Sequence, residues 1–224
     1  MKLYMKPFFF ASRLYHIAEN ITSRESPSAG LLSRKDVHAL KNAKKRIQKQ
    51  VLEALKTTDI HNVQVKAITD ACGISRSTFY IYYDSAYAVL QDIEDEYFKG
   101  LQEANAHFWY YPLKKEYMSE PHPILLNVLR YLQEHREIST TLRGPYGEAM
   151  FQLRCRKTLQ QSLCPEPLMK AYYPEDTDLH ISYIMGGHVE VLHTWLSSDC
   201  PAPAEEIAVK LYRLMFGDLF PKHS

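Results

Sequence analysis

At 224 residues the chain is long enough for one large domain or two small ones, and Pro and Gly are scarce inside its periodic stretches, which favours helices. No apolar run reaches the roughly 18 residues of a membrane span, and Phe8–Ala11 after the basic Met1–Lys6 is too short for a signal-peptide core, so a cytoplasmic location is expected. The net charge of +1 hides an asymmetry: residues 34–82 carry 10 Lys/Arg against 4 Asp/Glu and residues 83–224 carry 13 against 20, a basic front and acidic back that suit docking one end on phosphate.

In residues 1–35, Phe10, Leu14, Ile17 and Ile21 repeat as a helical stripe, and the Ser-rich Thr22–Arg34 with Pro27 and Gly30 has a linker composition. The stripe reads either as a docking element, for the protein's own body, a partner or a membrane surface, or as a loosely ordered extension. Lys41–Thr57 is then predicted as a helix with Ala43, Ile47, Val51, Ala54 and Leu55 on its apolar side. Lys44 and its basic neighbours lie on or near the other face, within reach of phosphates.

The stretch Val65–Asp84, VKAITDACGISRSTFYIYYD, predicts two short helices about a tight turn. Val65, Ile68 and Ala71/Cys72 share a face of the first. Gly73 suits a left-handed helix end, and Ser75 an N-cap. In the second helix Phe79 and Tyr83 face inward, while Arg76, Ser77, Thr78 and Tyr82 face out. This is a helix-turn-helix pattern, whose second helix enters the DNA major groove. Asp84 is placed as the cap of a long helix to about His107.

Ile68, Ala71, Gly73, Ile74, Ser75, Thr78, Phe79, Tyr80, Tyr83 and Leu90 stand in an order and spacing that resembles the DNA-binding domain of TetR-type transcriptional regulators. The resemblance implies an all-α fold. Residues 36–83 would form a three-helix helix-turn-helix domain, and 84–224 a helical ligand-binding and dimerisation body. It implies DNA contacts from Lys44, Gln64, Val65, Ser75, Arg76, Ser77, Thr78, Tyr80 and Tyr82. Arg76 suits a guanine edge, Ser77 and Thr78 a base or phosphate, and the two tyrosines phosphate oxygens. Gln64 stands where relatives commonly place a capping Thr, and Ala86 where they usually place a phosphate-binding Lys.

In the body, helices are predicted over Ile124–His135, Glu148–Leu163, Asp176–Leu196 and Ala204–Phe220, with Cys164–Pro174 as a Pro-rich connection. The last two helices are similar to those of shorter-bodied TetR regulators, which implies a homodimer through Gly186, Gly187, Val191, Trp195, Ile207, Leu211 and Leu214, reading a palindromic operator. Pocket candidates for a small-molecule effector are Trp109, Tyr117, Tyr131, Met150, Phe151, Tyr183 and His188.

His188, Glu190 and His193 fall on different helix faces, so no metal is expected. Cys72, Cys155, Cys164 and Cys200 show no paired ligand spacing and read as reduced thiols. No nucleophile–base arrangement or phosphate loop stands out, so neither catalysis nor a cofactor is expected. The reading is a ligand-released repressor; the alternative is a helix-turn-helix coactivator controlled by a protein partner.

Overall fold

The computed structural model describes residues 34–106, 113–147, 149–164, 166–198 and 202–217. The stripe Phe10–Ile21, the aromatic run containing Trp109, and Cys200 lie outside the described residues. Among the described residues there are ten α-helices and no strand: α1 Arg34–Ala54, α2 Val65–Cys72, α3 Arg76–Tyr82, α4 Ala86–Asn105, α5 Pro123–Glu134, α6 Arg136–Leu142, α7 Ala149–Leu163, α8 Glu166–Tyr172, α9 Thr177–Ser197 and α10 Ala204–Phe216. The expected all-α fold is the fold found. The chain divides after Lys41, and the contacts that follow belong to the unit that begins at Asn42.

Helix α4 is the central rod. It packs chiefly on α5 and α7, while α10 lies on α5 and α9 lies on α7. Tyr97 and Phe98 of α4 meet Phe151 of α7 at ring distances of 5.5 and 5.2 Å, and Phe151 is fully buried. Such offset and tilted aromatic contacts add to the stability that burial alone supplies. Gly100 sits in this helix for a packing reason: a Cβ there would come within 2.5 Å of the Tyr131 hydroxyl. Its absence lets Tyr131 lie across α4 and donate to the Tyr97 carbonyl at 2.8 Å.

Boundaries move, the first helix running Arg34–Ala54 where the sequence predicts Lys41–Thr57, and two helices are new. The long helix is capped by Ser85, whose hydroxyl accepts from the Ala88 N–H at 3.1 Å, and not by Asp84. The last helix ends at Phe216. Helix α6 follows α5 with only His135 between them, a junction marked by neither Gly nor Pro. The Pro-rich connection contains α8, because Pro167 falls in the first turn, where a missing N–H costs nothing. After α6, a Cβ on Gly147 would stand 1.9 Å from the Leu142 carbonyl oxygen, so this turn into α7 requires glycine.

His122 caps α5 from a fully buried position, with Nδ1 accepting from the Leu125 N–H at 3.4 Å and the ring stacked on Tyr212. That role needs an unprotonated Nδ1. Burial pulls the imidazole pKa down to about 4. Its unfolded value is near 6.5. Below that value the unfolded chain takes up a proton that the native chain refuses. The expected result is a contribution present above about pH 6.5 that drains away as pH falls toward 4. Urea titrations at stepped pH should show this slope, and His122→Gln should flatten it within that window.

Candidate nucleic-acid interface and body cavity

The turn between α2 and α3 is built as its residues dictate. Gly73 has φ 61° and ψ 39°, and the N–H groups of Gly73 and Ile74 bond back to Asp70 and Thr69. Only glycine adopts this conformation without penalty. Ser75 accepts from the Thr78 N–H at 3.0 Å, and the two hydroxyls lie 2.9 Å apart. Phe79 is fully buried and Tyr83 nearly so, which orients the rest of α3 outward. Gln64 stands at the start of α2 with no side-chain cap bond, as its poor capping chemistry suggests.

Arg76, Ser77 and Tyr80 are exposed on one face of α3, and Ile81, 62% exposed, extends it. Sequence reasoning missed Ile81. Its position four residues after Ser77 was the available signal. Thr78 and Val65 are half-buried at the edge of this face, while Gln64 and Ser75 are exposed. Tyr82 departs from its expected outward pose: its hydroxyl is buried and meets no hydrogen-bond partner, and burial raises its pKa.

Lys44 is likewise committed inward. Its Nζ lies 2.9 Å from Asp92 and 2.8 Å from Glu96, both on α4. Burial alone would lower the ammonium pKa, but the bonds to Glu96 and Asp92 outweigh it and hold it above the usual value. Asp92 also receives Gln48 at 3.0 Å and the Tyr83 hydroxyl at 2.6 Å. One carboxylate thus ties α1 and the end of α3 to α4. Ala86 is buried at the start of that helix.

A family model of the TetR type, described as a transcriptional regulator C-terminal region, matches residues 119–217, next to this helix-turn-helix. Over residues 119–217 the chain is thus similar to the C-terminal region of TetR-type transcriptional regulators. It is 24% identical over 184 residues to YxbF, an uncharacterized HTH-type transcriptional regulator of Bacillus subtilis strain 168, a match covering 78% of this chain and 45% of that protein. The chain therefore spans less than half the length of this curated relative.

Among solved structures, a TetR transcriptional regulator from Streptococcus agalactiae 2603V aligns with TM-score 0.56 at 17% identity, covering 80% of this chain and 96% of that one. The fatty acid degradation regulator FadR of Bacillus halodurans aligns with TM-score 0.53 at 19% identity, covering 80% and 97%. The dihydroxyacetone kinase operon activator DhaS aligns with TM-score 0.51 at 18% identity, covering 79% and 95%. These likenesses are of fold.

Between α4, α5, α6, α7 and α9 lies a partly open cavity of about 30 Å³. Of the predicted pocket residues among those described, only Phe151 lines it. Tyr131 instead borders an open groove of about 340 Å³ beside Gln48, Lys49 and Leu52 of α1. Tyr117 packs on His122 and Tyr212. His188 is buried with Nδ1 2.7 Å from the Ile184 carbonyl. Met150 and Tyr183 are 57% and 77% exposed, so they line no interior site. The groups sequence reasoning missed are Tyr97, Ser139, Arg143 and Cys155, which line the cavity with His193.

The predicted dimer residues also divide. Trp195, Ile207 and Leu211 are buried in the chain's own core and Val191 is half-buried. Gly186, Gly187 and Leu214 are exposed, and both glycines face open space. Leu179 and Tyr183, 67% and 77% exposed, continue the α9 stripe at helical spacing. Among the described residues no group of His, Cys, Asp and Glu is arranged to hold a metal, and no helix is long and apolar enough to cross a membrane.

Proposed function

We propose that this TetR-type regulator is a homodimeric repressor that binds a palindromic DNA operator through α3 and is released by a small-molecule effector. In this reading residues 36–83 contact DNA and 84–224 dimerise and sense the effector. The observation that carries it is the exposed face of Arg76, Ser77, Tyr80 and Ile81, held out by the buried Phe79. Arg76 matches guanine O6 and N7, Ser77 a base or phosphate, and Ile81 a thymine methyl. Tyr80 suits a phosphate oxygen. Lys45, Arg46 and Lys49, exposed on α1, add positive charge beside them.

The test is binding of the purified protein to its own upstream DNA across a salt series. Tight, selective binding that falls steeply with salt supports the reading, because released counterions set that slope. Weak, unselective binding at physiological salt overturns it. A partner-dependent coactivator is the second reading, and three observations favour it. Lys44 is paired with acids, Gln64 makes no cap bond and Ala86 is buried, so these three positions are poorer phosphate binders than the family resemblance implies.

The dimer is proposed to close over the α9 stripe of Leu179, Tyr183, Gly186 and Gly187, with Leu214 of α10. The two glycines forgo about 1 kcal/mol each of helix stability relative to Ala, which a close approach of a second helix would offset. Tyr183→Glu is expected to leave the helical content unchanged and halve the mass seen by sedimentation. An unchanged dimer would place the interface elsewhere.

A further inference from the structure

The body cavity is apolar except for His193 and one cluster. The Tyr97 hydroxyl and Ser139 Oγ lie 2.7 Å apart, and Arg143 and Cys155 stand beside them. Arg143 Nε is buried and meets no hydrogen-bond partner. A buried charge-bearing donor left without an acceptor is costly and calls for an explanation, of which a bound group is one. Among the described residues no group supplies that acceptor. Burial pushes the Cys155 thiol up to about 12, so it stays neutral. Glu94, the carboxylate whose charge acts on Cys155, is held by Arg154 at 3.0 Å. The remaining lining is largely Leu, Val and Phe, including Leu101, Leu159 and Leu192.

We propose that the cavity is the head of an effector site for a carboxylic acid with an apolar chain. The carboxylate would accept from Arg143 Nε and from the Tyr97 and Ser139 hydroxyls, and the chain would part α7 from α9. This rests on the regulator reading above and names its effector class. The volume of about 30 Å³ admits a carboxylate group but no chain. The acid therefore binds a widened body better than this one, which is the differential affinity a switch requires. Tyr97 and Leu101 share α4 with Asp92, the carboxylate that holds α1 and the end of α3. At 1.5 Å rise per residue, Leu101 is only about 14 Å along the rod from Asp92. A displaced α4 would thus move the DNA-reading helix.

The test uses the full chain titrated calorimetrically with decanoate, decanol and acetate, beside Arg143→Gln and Arg143→Lys, with DNA binding measured on the same samples. Decanoate is expected to bind roughly ten- to hundredfold tighter than decanol, the range for a charge-assisted contact. Arg143→Gln should erase that preference while keeping decanol binding, which also reports that the variant is folded. Arg143→Lys should retain part of it. Decanoate binding no tighter than decanol, or an unchanged preference in Arg143→Gln, overturns the inference. If DNA binding is selective and decanoate fails, the inference alone falls. If decanoate binds through Arg143 and DNA does not bind, the regulator reading alone falls.

Discussion

Phe79→Ala is expected to destabilise the protein by about 3–5 kcal/mol, the range for removing a buried aromatic ring. The ring is fully buried, edge-on to Tyr80 at 5.6 Å and tilted on Tyr83 at 6.1 Å. Helix α3 has only 7 residues, too few to be helical alone in water, so its order comes from this packing and the Ser75 cap. Since whole domains are stable by roughly 5–15 kcal/mol, the variant should lie near the unfolding threshold. Urea unfolding followed by circular dichroism reads the loss directly. Phe79→Leu fills much of the space and should cost far less. A loss below about 1 kcal/mol for the alanine variant would mean that α3 is not anchored by this ring.

The same residues show what could be read from the sequence. Gly73, Ser75, Phe79 and Tyr83 act locally, through backbone conformation, capping and helical period. Their roles were legible because each is fixed by its neighbours within four positions. Lys44 was not legible. Its partners Asp92 and Glu96 lie far along the chain, and a lysine on a polar face looks the same whether it meets phosphate or carboxylate. Tyr82 fails for a related reason: an amphipathic side chain on a helix edge can turn either way, and here its hydroxyl turns in.

In the body the difficulty is different. Helix α9 is apolar on two sides, one packed on α7 and one open, and periodicity alone does not separate them. Trp195 and Gly187 were therefore grouped together, although one is core and the other faces solvent. Aromatic content likewise drew attention to Tyr183 and Met150. The cavity's polar groups, Tyr97, Ser139, Arg143, Cys155 and His193, come from α4, α6 and its C-terminal cap, α7 and α9, which only the fold brings together.

Arg76→Ala is expected to lower affinity for the specific site by roughly 1–3 kcal/mol, the worth of one bidentate contact to guanine. At 1.4 kcal/mol per factor of ten this is about five- to a hundredfold. Arg76 is exposed at the first position of α3, immediately after the Ser75 cap, so its removal leaves the fold and the other groups of the face in place. The effect should therefore appear in selectivity. Binding to unrelated DNA should change little, because phosphate contacts from α1 supply most of it. A fluorescence-anisotropy titration against the operator, and against a version with the contacted guanine replaced, separates the cases. If Arg76 reads that base, the wild type should discriminate between the two DNAs and the variant should not. If it touches only phosphate, the variant should weaken both equally and flatten the salt slope by about one unit. An unchanged affinity for both would remove Arg76 from the interface, and reading of DNA by α3 would then rest on Ser77, Tyr80 and Ile81.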